Sequence, residues 1–102
     1  MSDLVIPGLL EGKTAIVTGS ARGIGRSTAE LLAGSGANVL ITDLDGDVAE
    51  QASAEIAGNT VSIGGDITKN GEPANIVKKA IDEFGQIDIL INNAGYTWDG
   101  PV

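Results

Sequence analysis

The sequence lacks several residue types, and each absence excludes a kind of chemistry. It contains no cysteine, which excludes disulfide bonds and thiolate metal ligands. It contains no histidine, so the commonest metal ligand and the commonest general base are both missing. Phenylalanine, tyrosine and tryptophan occur once each, so the core has to be built from valine, isoleucine, leucine and alanine. We expect no metal centre here.

Positive charge is also scarce. Six basic residues stand against 14 acidic ones, which gives a net charge of −8. A surface of this charge repels nucleic acid and anionic lipid. No apolar run reaches transmembrane length, and the first 13 residues lack the basic leading segment of a signal peptide and are interrupted by Pro7, Gly8 and Gly12. We expect a cytoplasmic protein that binds neither nucleic acid nor membranes.

Four apolar runs alternate with three helical patterns along the chain. The runs cover residues 14–18, 39–42, 60–63 and 87–91. The helical faces are predicted to be Ile24, Thr28, Leu31, Leu32 and Ser35, then Val48, Ala52 and Ile56, then Ile76, Val77, Ala80, Ile81 and Phe84. The order βαβαβαβ predicts an α/β fold with a doubly wound parallel sheet and the strand order 3-2-1-4. Residues 1–102 are expected to form one unit.

The fourth run is expected to have an open edge. In a doubly wound sheet this strand lies in the interior, yet the residues after Gly95 are a short tail that includes Gly100 and Pro101. The sequence therefore predicts a partial domain, truncated after its fourth strand. An exposed apolar edge at residues 87–91 favours self-association or pairing with a missing C-terminal half.

Three glycines, Gly19, Gly23 and Gly25, lie in TGSARGIG between the first strand and the first helix. The first allows a sharp turn, the second allows the backbone to approach a pyrophosphate, and the third allows close packing of helix on strand. Backbone N–H groups and the positive end of the helix dipole would face the phosphates. This context indicates a Rossmann-type dinucleotide site.

Asp43 ends the second strand, 18 residues beyond Gly25, where such sites place an acid on the adenosine ribose hydroxyls. A 2′-phosphate at the same place would be repelled by this carboxylate. Asp43 therefore favours NAD, while Arg22 in the glycine turn could hold a 2′-phosphate and leaves NADP possible.

Together these motifs resemble the short-chain dehydrogenase/reductase family. TGSARGIG resembles the first hallmark of that family, NNAG at residues 92–95 the second, and GDIT at residues 65–68 the segment after its third strand. The resemblance implies that Asp66 bonds the adenine amino group with Ile67 near the ring, although Asp66 could instead be a turn or cap carboxylate. It also implies that Asn92 joins the fourth strand to its neighbours. The implied cofactor contacts are Gly19, Ser20, Arg22, Gly23, Ile24, Gly25, Asp43, Asp66, Ile67, Asn93, Ala94 and Gly95.

The catalytic half of that family has no counterpart here. The family's catalytic Tyr and Lys lie four residues apart and well beyond NNAG, whereas Gly100 follows Tyr96 by four residues and no lysine follows Lys79. No catalytic residue is therefore assigned. The resemblance implies the cofactor-binding portion of an oxidoreductase that moves a hydride between nicotinamide and an alcohol or carbonyl carbon.

Two alternatives remain open at this point. The chain could be a non-catalytic dinucleotide-binding module, or an interaction fragment that pairs through its open sheet edge. A methyltransferase with a similar glycine turn is disfavoured by NNAG and by the spacing of the first two glycines.

Overall fold

A computed structural model describes residues 8–93, and it has the predicted order of elements. The strands are β1 (Thr14–Thr18), β2 (Asn38–Asp43), β3 (Asn59–Gly64) and β4 (Ile89–Ile91). The helices are α1 (Gly23–Gly34), α2 (Gly46–Glu55) and α3 (Glu72–Phe84). Within residues 8–93, none of these helices is long and apolar enough to cross a membrane.

The four strands form one parallel sheet in the order β3-β2-β1-β4, which confirms the predicted fold class. The register places Ile16 of β1 between Leu40 of β2 and Leu90 of β4. All five residues of β1 are buried, as expected for a central strand that is covered on both faces. The carboxyl ends of β1, β2 and β3 therefore meet at one edge of the sheet.

Apolar side chains form a core on each face of the sheet. On one face, Val17, Val39 and Ile41 pack against small side chains of α1 and α2. On the other face, Ile16 and Leu40 pack against α3 through Ile76 and Ala80. The α1 and α2 helices thus share one face and α3 covers the other, which is the doubly wound arrangement.

The buried face of α1 matches the predicted one only in part, because Leu32 packs against the core and Ser35 is buried but other predicted residues are not. Its buried residues are Gly25, Ala29 and Ala33, whereas Ile24 is 80% exposed. Hydrophobic periodicity selected the larger side chains, but the close approach of helix to sheet selects the smallest ones. An open groove instead lies on the outer side of α1 and includes Ile24 and Leu31.

The apolar face of α3 is only partly covered. Ile76 and Ala80 are buried as predicted, but Val77 and Ile81 are exposed. Leu90 of β4 is 64% exposed, and its register position opposite Ile16 places it on the same side of the sheet as α3. Among residues 8–93, β4 pairs with β1 and with no second strand. The expected open apolar edge is present in this part of the chain.

The start of β4 bonds to β1 through a side chain. Asp88 N–H donates to the Thr14 carbonyl at 2.9 Å, and Thr14 N–H donates to Asp88 Oδ2 at 2.9 Å. Gln86 Nε2 also donates to Asp88 Oδ2, at 2.7 Å. The bond from the Thr14 N–H and the bond from Gln86 lower the pKa of Asp88 from its ordinary value, and Lys13 contributes in the same direction.

This arrangement predicts a pH-dependent stability. Because the folded pKa of Asp88 lies below the unfolded value, the ionised group stabilises the fold above the unfolded pKa of about 3.9. That stabilisation is lost as the pH falls through the folded value. We expect Asp88→Asn to be less stable than the native chain at pH 7 and the difference to shrink as the pH drops below about 4, measured by urea unfolding at pH 7, 5 and 3.

Glu50→Gln removes one exposed carboxylate from α2 and is the control. Equal pH dependence in the native chain and in Asp88→Asn would contradict this role for Asp88.

Candidate functional site

The turn between β1 and α1 has the backbone shape that its glycines were expected to allow. Gly19 and Gly23 have φ angles of +63° and +65°, in the left-handed region that favours glycine. A Cβ built on Gly25 would collide with the Gly19 carbonyl oxygen and would lie 2.6 Å from Asn93 Nδ2. Gly25 is therefore required for the close approach of α1 to Gly19 and Asn93, whereas the sequence had predicted close packing of the helix on the strand.

Within residues 8–93, no side chain caps the N-terminus of α1. Arg22 occupies the N-cap without a capping bond, and the first turn contains no acidic residue. By contrast, Asp45 caps α2, and its Oδ1 accepts from the backbone of Asp47 and Val48 at 2.9 and 3.4 Å. The first N–H groups of α1 and the positive end of its dipole are thus available to an anion.

Asp43 lies next to this turn at the carboxyl end of β2. Its Oδ2 accepts from the Ala21 N–H at 3.3 Å, and its Oδ1 accepts from the Leu44 N–H at 2.8 Å. The carboxylate is half-buried and retains lone pairs for further donors, because each oxygen can accept more than one bond. An acid predicted from its spacing thus stands beside the glycine turn.

Ser20 faces the sheet rather than the mouth of the turn. The residue is completely buried. Its Oγ accepts from the Thr42 N–H at 3.0 Å and donates to the Thr42 carbonyl at 3.5 Å. The two large side chains that follow Ser20 in the motif, Arg22 and Ile24, are exposed.

The end of β4 contacts the same turn. Asn93 N–H donates to Thr18 Oγ1 at 2.9 Å, and Asn93 Nδ2 donates to the Gly19 carbonyl at 3.3 Å. Thr18 Oγ1 donates to Asn92 Oδ1 at 3.3 Å. Both asparagines therefore join β4 to β1, a role that the sequence had implied for Asn92 alone. Ala94 and Gly95 lie outside the described residues.

Asp66 follows β3 and adopts the turn that was its alternative interpretation. Its Oδ1 accepts from the Thr68 hydroxyl at 2.5 Å and from the Thr68 N–H at 2.9 Å. These two bonds lower the pKa of Asp66 from its ordinary value, and the Lys69 charge contributes further. Ile67 packs against the core on the α3 face. Within residues 8–93, this turn bonds Oδ1 of Asp66 and makes no hydrogen bond to its Oδ2.

Two groups of this site were not predicted from the sequence, the Ala21 N–H and the Thr18 hydroxyl. The Ala21 N–H bonds Asp43, and the Thr18 hydroxyl contacts both asparagines. Thr18 directly precedes Gly19 in the glycine motif, and that adjacency is the only signal that could have identified it. Thr42 Oγ1 is buried and has no hydrogen-bond partner within residues 8–93.

The arrangement is a left-handed glycine turn, an uncapped helix start and a carboxylate beside them, all at the carboxyl edge of a parallel sheet. The short chain dehydrogenase family model matches residues 13–102. The chain belongs to the short-chain dehydrogenase family. This family of oxidoreductases generally binds NAD or NADP.

Curated members of the family support this assignment. The chain is 42% identical over 86 residues to tropinone reductase-like 2 of Erythroxylum coca, which covers 84% of this chain and 31% of that protein. It is 48% identical over 91 residues to the 3-oxoacyl-(acyl-carrier-protein) reductase FabG of Vibrio cholerae. This match covers 88% of this chain and 37% of that protein. The chain thus spans about a third of the length of these relatives.

Solved structures of short-chain dehydrogenase relatives have the same fold. The hydroxysteroid dehydrogenase from Escherichia coli has a TM-score of 0.81 and 38% sequence identity, covering 91% of this chain and 39% of that one. The citronellol catabolism dehydrogenase of Pseudomonas aeruginosa has a TM-score of 0.83 and 38% sequence identity. The match covers 88% of this chain and 39% of that one.

Proposed function

We propose that this chain binds NAD at the β1–α1 turn and is the cofactor-binding portion of a short-chain oxidoreductase. The observation that carries the proposal is the uncapped start of α1 beside the Asp43 carboxylate. The protein is strongly acidic, so the phosphates have to be held locally by backbone N–H groups. Gly23 borders open space at this turn, since a Cβ built on it would meet nothing within 4 Å.

The turn and three side chains of the proposed site have assigned tasks. The backbone of the turn would surround the pyrophosphate, Asp43 would accept from the adenosine ribose hydroxyls, and Asp66 would accept from the adenine amino group. Ile67 would lie near the adenine ring. The full proposed set is Gly19, Ser20, Arg22, Gly23, Ile24, Gly25, Asp43, Asp66, Ile67, Asn93, Ala94 and Gly95.

Asp43 is the basis for proposing NAD rather than NADP. A carboxylate and a 2′-phosphate about 4 Å apart repel by about 4 kcal/mol per charge pair at an effective dielectric of about 20. Arg22 is exposed and makes no capping bond, so its guanidinium could offset part of this repulsion. The repulsion is expected to dominate because Asp43 bonds the turn directly through the Ala21 N–H.

The proposed reaction is hydride transfer between nicotinamide, which supplies the redox chemistry when bound, and an alcohol or carbonyl substrate. The described residues contribute binding and orientation of the cofactor. We assign the proton-transferring tyrosine and lysine of the family to the part of the enzyme that this cofactor-binding portion does not include.

Calorimetric titration of the native chain with NAD and with NADP tests the proposal. We expect saturable NAD binding that is tighter than NADP binding. Asp43→Ala should weaken NAD binding about tenfold or more, because each charge-assisted hydrogen bond contributes roughly 1.5–3 kcal/mol. The same variant should bring NADP closer to NAD in affinity, since the repulsion disappears.

Asp47→Ala is the matched control, because it removes one exposed carboxylate from the first turn of α2 and leaves the β1–α1 turn intact. NAD binding that Asp43→Ala leaves unchanged would refute the assigned role of Asp43. A folded native chain that binds neither dinucleotide would refute the function.

An interaction role is the second candidate, and the exposed edge of β4 favours it. Leu90 is exposed on the same side of the sheet as the uncovered Val77 and Ile81 of α3. Failure to bind either dinucleotide, together with a mass that rises with concentration in sedimentation, would favour pairing through this edge over cofactor binding. Specific NAD binding without turnover in the presence of a complementing C-terminal half would favour a non-catalytic binding module.

A further inference from the structure

The buried hydroxyl of Ser20 joins the glycine turn to the end of β2. β1 ends at Thr18, yet pairing with β2 continues beyond it, because the Ser20 N–H donates to the Thr42 carbonyl at 3.0 Å. The Ser20 hydroxyl adds a bond from the Thr42 N–H at 3.0 Å and a bond to the Thr42 carbonyl at 3.5 Å. We call these three bonds the Ser20–Thr42 bridge.

The next residue of each segment forms the next contact. Ala21 follows Ser20 in the turn, and Asp43 follows Thr42 in β2, and the Ala21 N–H donates to Asp43 Oδ2 at 3.3 Å. Two consecutive residues of the turn therefore bond two consecutive residues of the strand. Because the chain is continuous, the position of the Asp43 carboxylate relative to the turn depends on the Ser20–Thr42 bridge.

We propose that Ser20 is a positioning residue that sets cofactor selectivity through Asp43 without contacting the cofactor by its side chain. Its hydroxyl is completely buried between the turn and β2, so it cannot reach a ligand in the mouth of the turn. The bridge holds the carboxylate where it can accept from ribose hydroxyls and repel a 2′-phosphate. This inference rests on the proposed binding of NAD at the turn.

Ser20→Ala removes the hydroxyl and keeps a small side chain in a buried space. We expect NAD affinity to fall about tenfold, the size of one charge-assisted hydrogen bond from a less fixed Asp43 carboxylate to the ribose. NADP affinity should change by less than about threefold, because a less fixed carboxylate also repels the 2′-phosphate less. A general loss of stability would instead lower the NAD and NADP affinities by the same factor. An unchanged ratio of NAD affinity to NADP affinity would therefore overturn the proposal.

Ser27→Ala is the matched control, since it makes the same chemical change at an exposed position of α1. It should leave both affinities at their native values. Thermal unfolding of all three chains, followed by circular dichroism, checks that each is folded at the temperature of the titration.

Amide hydrogen exchange tests the positioning role independently of any ligand. In Ser20→Ala, the amides of Thr42 and Ala21 should exchange faster than in the native chain, while amides in the middle of β1 keep their native protection. Native protection of the Ala21 amide in Ser20→Ala would overturn the proposal even if NAD binds. Faster exchange at Ala21 in a chain that binds no dinucleotide would confirm that Ser20 positions the turn and would refute only the cofactor-binding function.

Discussion

Replacing Gly25 with alanine is expected to destabilise the fold by about 3 kcal/mol, the upper part of the range for overpacked sites. The new Cβ would collide with the Gly19 carbonyl oxygen, lie 2.9 Å from the Gly19 carbonyl carbon and lie 2.6 Å from Asn93 Nδ2. Two of these three atoms are backbone, so no side-chain rotation relieves the contact. The helix propensity of alanine returns about 1 kcal/mol at most.

Urea unfolding monitored by circular dichroism measures this effect. Ser27→Ala in the same helix places a methyl group at an exposed position and should stay within about 0.5 kcal/mol of the native chain. A Gly25→Ala chain as stable as the native one would show that α1 can move away from the turn without loss. In that case the close approach of α1 to Gly19 would not be a requirement of the fold.

Replacing Gly64 with alanine is expected to cost about 2 kcal/mol. Gly64 ends β3, and a Cβ built on it would lie 2.6 Å from Gly46 Cα and 2.8 Å from Gly46 N. Gly46 is the first residue of α2, so the clash would push α2 away from the sheet and disturb the Asp45 cap. The effect is smaller than at Gly25 because only the start of one short helix has to move.

The same substitution at the other glycine of this contact, Gly46, is the control. A Cβ on Gly46 would lie 3.5 Å from Gly64 Cα, which is ordinary van der Waals contact. Gly46→Ala should therefore be neutral or slightly stabilising, because alanine is a better helix residue than glycine. Equal losses of stability from the two substitutions would contradict this account, since the two glycines share the contact but only one lacks room for a side chain.

The strands and their order were predictable because each strand is a short apolar run, and β1 and the middle of β2 are buried on both faces. The run at residues 14–18 coincides with β1, and the runs for β2 and β3 fall one residue short at each end. The exception is β4, which was predicted to begin at Ile87. The structure begins its pairing at Ile89, because Asp88 bonds β1 partly through its side chain.

The buried face of α1 was predictable from hydropathy only in part, since Leu32 packs against the core as predicted. Ala29 and Ala33 face the sheet because small side chains allow close packing, whereas Ile24 and Leu31 lie toward the outer groove. Hydrophobic periodicity gives more weight to large apolar residues, so it misses small buried residues wherever close approach matters more than volume.

The candidate site was predictable in position but not in the orientation of its side chains. Spacing placed Asp43 beside the glycine turn, and the structure brings them together. Motif spacing contains no information on whether a turn side chain points out or in, so Ser20 was predicted as a ligand contact although its hydroxyl is buried. The second bond of Asn93, to the Gly19 carbonyl, depends on strand pairing that spacing does not specify.

The bonds from Asn93 to Thr18 and Gly19 also bear on the order in which the molecule folds. They connect residues 75 and 74 positions apart in the chain. Contacts of such long separation form late, because the entropy of closing the intervening loop opposes them. A ribosome that adds about 5–20 residues per second has exposed the glycine turn for some seconds before Asn93 exists. Within residues 8–93, the turn can therefore pair with β2 through Ser20 and Ala21 before the end of β4 adds its two bonds to it.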